Sequence, residues 1–187
     1  MQPASIDDPA RAVMYESRLA WLAQQSSWTL DGRLAVSNAE DGGSGHFSWT
    51  EHDGDTRMDF YGALGRGAWR LAADAGGAEL ELADGTVHHA GSIEDLVRKR
   101  VGWEVPVDKL SWWARGLAAP GEYDSRILHE DGSLSKLQQS GWTIEYGKYR
   151  SIENIGLPVK MVARSADWKV KLAVTEWKLA AGTETDD

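Results

Sequence analysis

The sequence of 187 residues contains no cysteine, so the chain itself supplies no disulfide, thiolate nucleophile, thiolate zinc site or iron–sulfur cluster. It also lacks any run of the ~18 uninterrupted apolar residues that a membrane-spanning helix needs. Basic residues are in the minority, with 20 Lys and Arg against 29 Asp and Glu and a formal net charge of −9. This charge argues against broad attraction to phosphate backbones, so we expect no nucleic-acid partner.

Phenylalanine is scarce, whereas tryptophan and glycine are abundant, with 2 Phe, 10 Trp and 20 Gly. Large aromatic side chains beside many flexible turns are typical of a sheet with a wide aromatic face, which makes a cavity plausible on physical grounds. The length fits one compact core, and we expect a single domain over residues 1–187. Residues 183–187 are predicted to form a flexible acidic tail.

Helical periodicity predicts helices in two regions of the chain. Residues 8–25 have the period of a helix, and Pro9 suits its first turn. The expected core face of that helix holds Ala10, Val13, Met14, Ser17, Ala20 and Trp21. Residues 92–117 form a second helical region that Pro106 divides into a pair of short helices, neither of which is stable without a sheet to cover. The first helix of the pair places on one face Ile93, Leu96, Val97 and Arg100.

Most of the remaining chain alternates between apolar and polar residues with the period of two that is typical of strands. Short glycine-rich turns divide it into about eleven strands and imply antiparallel pairing. The predicted fold class is therefore mainly β with helices (α+β), in which helices cover the open side of a curved sheet. The apolar surfaces that we expect to face one another across a cavity belong to Trp49, Phe60, Trp113, Leu117 and Trp142.

No catalytic signature stands out, and we predict no metal ion and no cofactor. His88 and His89 are adjacent on a predicted strand, so their side chains point to opposite faces and do not chelate one ion without a bulge. Several aspartates lie beside glycines, where turn chemistry explains them. A β-barrel enzyme that acts on a lipid or a polysaccharide stays open as an alternative, because acid–base partners meet in space rather than in sequence.

The connector from Tyr61 to Trp69 is unusual, because its only charged side chain is Arg66. Loops are normally polar, so Leu64 is expected to project into solvent or into a more apolar medium. The alternative is that the tip of the loop folds back onto the sheet. Inserting one leucine into a bilayer gains only about 1.5–3 kcal/mol. Such a residue can contact a membrane but does not anchor a protein there.

A series of motifs, in the same order and spread over residues 15–180, resembles the LolB family of outer-membrane lipoprotein receptors. Each motif is weak, but the combination is fairly specific. The motifs are Trp28-x-x-x-Gly32-Arg33-Leu34-Ala35-Val36, Gly45-x-Phe47-Ser48-Trp49, Ala63-Leu64-Gly65, Pro106-Val107-x-x-Leu110-x-x-Trp113-x-x-Gly116-Leu117, Leu134-x-x-Leu137-x-Gln139-x-Gly141-Trp142-x-Ile144-x-Tyr146, Leu157-Pro158, and Val170-Lys171-Leu172 followed by Trp177.

The resemblance implies an incomplete antiparallel β-barrel with a helical lid over a hydrophobic cavity, the fold that the family shares with the periplasmic carrier LolA. It also implies the function: receiving triacylated lipoproteins from that carrier, holding their acyl chains, and inserting them into the inner leaflet of the outer membrane. The family's membrane-insertion loop corresponds to Ala63, Leu64 and Gly65, although the family's proline is replaced here by Ala63. We expect a monomer that is not an enzyme.

The resemblance further implies a location at the periplasmic face of the outer membrane, with a lipid anchor on an N-terminal cysteine. That cysteine is absent from this sequence, and the simplest interpretation is a soluble form that starts after it, with Met1 as the initiator. Two further alternatives stay open. One is a periplasmic lipid carrier or sensor of the same fold that never inserts its cargo, and the other is a protein-binding scaffold in which the tryptophans fill an ordinary core.

Overall fold

A computed structural model describes residues 8–63 and 67–180 of the chain. Helix α1, Pro9–Ala23, begins where the Asp8 carboxylate accepts a hydrogen bond from the Ala10 amide at 3.0 Å. This cap satisfies one of the amides that the first turn of a helix leaves without a partner. Among the described residues, no helix is both long and apolar enough to cross a membrane.

Helix α1 packs on the core through a different face from the expected one, so that prediction is wrong. Tyr15 and Leu22 are buried, and Leu19 packs against the same core. The Tyr15 hydroxyl also accepts a hydrogen bond from the Ala118 amide at 2.9 Å. The tyrosine ring is apolar although its hydroxyl is polar. A pattern that counts only aliphatic residues therefore misses the face of α1 that carries Tyr15. The large side chains of the expected face are exposed by 66%, 48% and 39% at Val13, Met14 and Trp21.

The strands form one antiparallel sheet, in the order β6-β5-β4-β3-β2-β1-β11-β10-β9-β8-β7. The sheet is open, with β6 and β7 as its edges, which confirms the prediction of about eleven antiparallel strands in an incomplete barrel. The strands are β1 Ser27–Ser37, β2 Gly42–His52, β3 Asp55–Gly62, β4 Trp69–Asp74, β5 Gly77–Leu82, β6 Val87–Ala90, β7 Ser125–Leu128, β8 Leu134–Gln139, β9 Trp142–Ile152, β10 Ile155–Arg164 and β11 Lys169–Leu179.

Strand β1 joins the two halves of the sheet, because it pairs with β2 on one side and with β11 on the other. Asp31 lies opposite Glu176 and Gly32 lies opposite Val174, which leaves Thr175 as the extra residue of a β-bulge. The bulge explains why the sequence pattern breaks after Val174. From the pattern alone we expect one strand over Lys169–Val174 and a second short one over Trp177–Leu179, whereas the structure has one continuous strand.

Three segments between β6 and β7 form a lid over the concave face of the sheet. Helix α2 spans Ile93–Leu96, a π-helical turn spans Val97–Val101, and helix α3 spans Val107–Ala114. A π turn contains more residues than an α turn and rotates the following side chains. Arg100 is therefore exposed, and the prediction that it shares a face with Ile93 and Leu96 is wrong.

The concave face of the sheet carries the core, and the convex face is mainly polar. Strand β1 shows the pattern clearly, because its buried residues alternate with residues that are half-buried or exposed. The same alternation continues in β3, β4 and β11. The lid and the concave face therefore bury their apolar side chains against each other.

Candidate functional site

An apolar cavity lies between the lid and the concave face of the sheet. Its volume is about 40 Å³, which leaves room for a few water molecules at most. The sheet and the lid both contribute to its wall. The lining residues are Leu34, Val36, Phe47, Trp49, Met58, Trp69, Val97, Trp103, Val105, Val107, Leu110, Ala114, Met161, Val170 and Leu172. Because all of these side chains are apolar, the wall that the described residues form holds no acid–base pair.

Two aromatic residues of the cavity wall, Trp69 and Trp103, pack together with Phe60. Phe60 stacks on Trp69 with ring centroids 5.6 Å apart and an angle of 19° between the planes. Trp103 of the lid meets both rings edge-on, at 5.3 Å from Phe60 and 5.9 Å from Trp69. The buried Trp69 indole N–H has no hydrogen-bond partner among the described residues. This leaves one polar donor without a partner in the apolar wall, at a cost in free energy.

The structure divides the predicted cavity residues between two places. Trp49 lines the cavity, and Phe60 packs behind the lining residue Trp69. Trp113, Leu117 and Trp142 are buried in the same hydrophobic core but do not line the cavity. The rings of Trp113 and Trp142 lie 6.0 Å apart.

Gln139 is a buried polar residue beside Trp113, and its side chain is exposed by only 1%. Its Oε1 accepts hydrogen bonds from the Trp113 indole N–H and the Ala119 amide, both at 2.9 Å. Its Nε2 donates to the carbonyl oxygens of Ala119 at 2.9 Å and Glu122 at 3.1 Å. The side chain amide of Gln139 therefore ties helix α3 and the segment after it to strand β8.

The back of the lid, residues 113–115, is pinned by hydrogen bonds. Besides the bond to Gln139, the Tyr146 hydroxyl donates to the Trp113 carbonyl oxygen at 2.8 Å. Arg115 Nη1 donates to the carbonyl oxygen of Leu22 in α1 at 3.1 Å. These contacts fix the C-terminal end of α3 to both the sheet and helix α1.

The front of the lid, residues 97–107, is held differently. Among the described residues, no hydrogen bond joins it to the sheet; the contacts are apolar, through side chains such as Trp103 and Val97. Within the lid, the Asp108 amide donates to Glu94 Oε1 at 3.0 Å, which links α2 to α3. The helices of the lid are therefore hydrogen-bonded to each other. Among the described residues, the front of the lid has no hydrogen bond to the sheet, whereas its back is hydrogen-bonded to the sheet and to α1.

A groove of about 510 Å³ opens beside the cavity, between the end of α1, helices α2 and α3, and the turns of the sheet. Trp49 and Val107 line both the groove and the cavity, so these two side chains are the partition between them. The Trp49 indole N–H donates to Glu51 Oε1 at 2.8 Å. This hydrogen bond holds the ring of Trp49 in the partition.

The groove carries a buried arginine, Arg115, and a half-buried glutamate, Glu51. Arg115 is exposed by only 5%, its guanidinium lies 4.7 Å from the ring centroid of Trp112 and 5.4 Å from that of Trp28, and burial lowers its pKa to about 10. Burial likewise raises the pKa of Glu51. The cation–π contacts offset part of the cost of removing the guanidinium from water.

The remaining predicted site residues lie at the β3–β4 connector and on β6. Ala63 is exposed, and Leu64 and Gly65 lie outside the described residues. His88 is half-buried and its neighbour His89 is exposed. Within the described ranges, no group of three or more His, Cys, Asp or Glu side chains is placed to hold a metal ion.

Sequence reasoning missed most of the lid's contribution to the cavity. Val101, Trp103 and Val105 alternate with other residues just before Pro106, and this period of two is a signal of an extended segment with one apolar face. The helical interpretation of residues 92–117 hid that signal. Arg115 and Gln139 were missed as buried polar residues, because nothing local in the sequence marks an arginine or a glutamine for burial.

Comparisons with known proteins agree with this architecture. Residues 26–177 match the family model described as "Outer membrane lipoprotein LolB". The chain is 32% identical over 174 residues to the outer-membrane lipoprotein LolB of Pseudomonas aeruginosa, covering 93% of this chain and 85% of that protein. It is 33% identical over 175 residues to the protein of the same name from Pseudomonas fluorescens, covering 91% of this chain and 82% of that protein.

Solved structures show the same fold at low sequence identity. A putative outer membrane lipoprotein-sorting protein domain from Vibrio parahaemolyticus aligns with a TM-score of 0.53 at 10% identity, covering 93% of this chain and 94% of that one. A LolA superfamily protein from Nitrosomonas europaea aligns with a TM-score of 0.52 at 8% identity, covering 89% and 94%. At these identities the likeness carries information about the fold alone.

Proposed function

Because the chain belongs to the LolB family of outer-membrane lipoproteins, with a role in outer-membrane lipoprotein transport, we propose that it receives triacylated lipoproteins from a LolA-like periplasmic carrier. It holds their acyl chains between lid and sheet and inserts them into the inner leaflet of the outer membrane. The observation that carries this proposal is the contrast within the lid, whose front rests on the sheet through apolar contacts while its back is hydrogen-bonded.

The closed cavity is too small for its proposed cargo. At about 40 Å³ it has room for a few water molecules at most, whereas an acyl chain of about fifteen methylenes fills many times that space. The front of the lid must therefore move away from the sheet. Since no hydrogen bond among the described residues opposes that movement, the lid opens about the pinned end of α3.

The partition residue Trp49 lies on the direct path from the groove into the cavity. When the front of the lid lifts, Val107 moves with it, and the space beyond Trp49 becomes continuous with the groove. An acyl chain then enters without specific hydrogen bonds, which fits a carrier that accepts many lipoproteins.

Exposing an acyl chain to water is the cost that such a protein removes. At about 0.8 kcal/mol per methylene, one chain of about fifteen methylenes costs on the order of 12 kcal/mol, and three chains cost several times that. Transfer then runs down a gradient of affinity from the carrier to this protein to the bilayer. The proposal includes no catalytic step.

The β3–β4 connector supplies the membrane contact in this proposal. Ala63 is exposed at its start, and Leu64 follows it as the side chain that enters the bilayer. One leucine gains about 1.5–3 kcal/mol, which is enough to position the open cavity against lipid and too little to retain the protein there.

Photo-crosslinking tests whether cargo enters the cavity. Benzoylphenylalanine replaces Phe47, which lines the cavity, or Trp142, which is equally buried but lies outside it. Each variant is mixed with a purified carrier loaded with a triacylated lipoprotein and then irradiated. We expect the lipoprotein to crosslink at position 47 and not at position 142. Transfer with equal crosslinking at both positions, or with none at position 47, contradicts the proposal.

A release step added to the same reaction separates insertion from mere carriage. With liposomes present, Leu64→Glu is expected to leave uptake from the carrier intact and to stop release into the bilayer, whereas Leu64→Met preserves both steps. If Leu64→Glu leaves both steps unaffected, the alternative of a carrier or sensor that does not insert its cargo replaces insertion.

A further inference from the structure

One half of the convex face of the sheet is basic, although the chain carries a net charge of −9. We call this half the basic face. Its side chains project from strands β1, β8, β9, β10 and β11, on the side of the sheet opposite the cavity. The cations of the basic face are Arg33, Lys136, Lys148, Lys160, Arg164, Lys169 and Lys171.

The strand register places these cations in rows across the sheet. One row runs through Lys148, Lys160, Ala173 and Arg33 on β9, β10, β11 and β1. The next row runs through Glu145, Val162, Lys171 and Ala35, and the third through Thr143, Arg164, Lys169 and Ser37. Four adjacent strands are only about 14 Å wide, so the charges are concentrated.

One carboxylate, Glu145, lies within these three rows, and Asp31 and Glu176 lie opposite each other in the row beyond Arg33. Glu145 pairs with Arg164 at 3.2 Å and with Lys136 at 3.8 Å. In the part of the chain that the structure describes, Lys160, Lys169 and Lys171 form no ion pair. The neighbouring Lys171 lowers the pKa of Lys169, and Lys148 lies directly opposite Lys160. Like charges directly opposite each other destabilise a sheet, so the fold maintains the basic face at a cost.

The other half of the same convex face is mixed in charge. Its cation Arg70 on β4 pairs with Asp59 at 2.8 Å, and Arg57 lies on the neighbouring strand β3. Strand β5 presents the carboxylates of Glu79 and Glu81. The positive charge is therefore confined to one half of the sheet rather than spread over its surface.

From this arrangement we infer that the basic face is a docking surface for an anionic lipid bilayer, bound through its phosphate headgroups. The residues between the cations are small, including Ala35, Ser37 and Ala173, so the face is a layer of long, flexible cations on a smooth sheet. A protein partner is normally gripped by aromatic or arginine anchors in pockets. A layer of anionic lipid headgroups, in contrast, is bound by exposed cations without such pockets.

The net negative charge of the chain does not oppose this docking at close range. Charges beyond ~8–10 Å are screened at physiological ionic strength, so a bilayer in contact with the basic face experiences mainly these cations. The arrangement also orients the molecule, because the β10–β11 turn lies at the same end of the sheet as the β3–β4 connector. The inference concerns an electrostatic surface and does not rest on the acyl-chain cavity.

Vesicle flotation of the intact chain tests the inference without carrier or cargo. The vesicles consist of phosphatidylcholine alone or of phosphatidylcholine with phosphatidylglycerol. We expect binding to the anionic vesicles only, and a steep loss of binding as salt is raised. Each cation near an anionic surface contributes about a fivefold factor in partitioning, so Lys160→Gln/Lys171→Gln is expected to weaken binding by about twentyfold or more.

The matched control is Arg57→Gln/Arg70→Gln, which removes the same charge from the mixed half of the convex face and is expected to change binding by less than about twofold. Glu145→Gln adds a net positive charge to the basic face and is expected to strengthen binding by about fivefold, a gain that a folding defect does not produce. Equal losses in the two double variants, equal binding to neutral vesicles, or no binding to anionic vesicles at low salt overturns the inference. In a parallel sample that contains a purified acidic carrier, binding of the carrier instead of vesicles to the basic face overturns it as well.

Discussion

Replacing Gln139 by leucine tests whether the back of the lid is fixed by one buried amide. Leucine has a similar volume, so the change removes hydrogen bonds while leaving little empty space. Four groups then lose their hydrogen-bond partner: the Trp113 indole N–H, the amide and the carbonyl of Ala119, and the carbonyl of Glu122. Trp113 is fully buried and Ala119 is exposed by only 4%, so water does not readily replace the lost bonds.

The expected loss of stability is large. A buried donor or acceptor without a partner costs about 1–3 kcal/mol, and partial relaxation of the 119–122 segment reduces the total to about 3–5 kcal/mol. A domain of this kind has a free energy of unfolding of about 5–15 kcal/mol. With a urea dependence of about 2 kcal/mol per molar, the midpoint of urea unfolding is expected to fall by about 1.5–2.5 M. Tryptophan fluorescence reports the transition.

The neighbouring residue Gln138 provides the matched control. It is exposed on the same strand and accepts one hydrogen bond, from the Ser125 hydroxyl at 2.7 Å. Gln138→Leu is expected to change the free energy of unfolding by no more than about 0.5–1 kcal/mol. If the urea midpoints of the Gln139→Leu and Gln138→Leu variants agree within experimental error, then Gln139 does not hold the lid and the reasoning is refuted.

Two further predictions concern the residues around the end of α3 and can be checked by urea unfolding. Gly116 has φ +76°, and an added Cβ would lie 2.9 Å from the Tyr149 hydroxyl, whereas Gly102 has φ +87° with open space around it. Gly116→Ala should therefore lower the free energy of unfolding by about 1–3 kcal/mol more than Gly102→Ala does. Equal losses in the two variants would refute the close contact. Burial raises the pKa of Tyr15, Tyr146 and Tyr149, so the folded state retains protons that the unfolded state releases, and their contribution to stability is complete below about pH 10 and lost above it. Tyr149→Phe should make the loss of stability above pH 10 shallower by about 1.4 kcal/mol per pH unit, and an unchanged slope would show that the Tyr149 hydroxyl titrates normally.

The sequence predicted the sheet well, because its determinants are local. Alternating apolar residues and glycine turns mark each strand, and short turns impose antiparallel pairing. The bulge at Thr175 was not predictable in this way, since it exists only in relation to the partner strand β1. The face of α1 was predicted wrongly because burial depends on what the helix packs against, which for Tyr15 is the distant residue Ala118.

The candidate site was harder to predict, because its residues meet only in three dimensions. Trp49 lies among the residues that line the cavity, whereas Trp103, which contacts both Phe60 and Trp69, was missed. Helical spacing correctly placed Trp113 on a buried face. It does not show whether that face borders a cavity or, as here, the polar side chain of Gln139.

The self-filled cavity bears on the direction of the proposed transfer. With no cargo, the lid buries Val97, Trp103, Val105 and Val107 against the sheet, and about 1.5–3 kcal/mol for each of these side chains amounts to about 6–12 kcal/mol. Opening the front of the lid loses much of this free energy of apolar burial. Burying an acyl chain of about fifteen methylenes gains on the order of 12 kcal/mol. Cargo therefore replaces one set of apolar contacts with another, and the net affinity is much smaller than the free energy of burial. A bilayer has no lid that must first be opened, so in the proposed transfer it binds the same chain more tightly, and release to the membrane is expected to be downhill without any input of chemical energy.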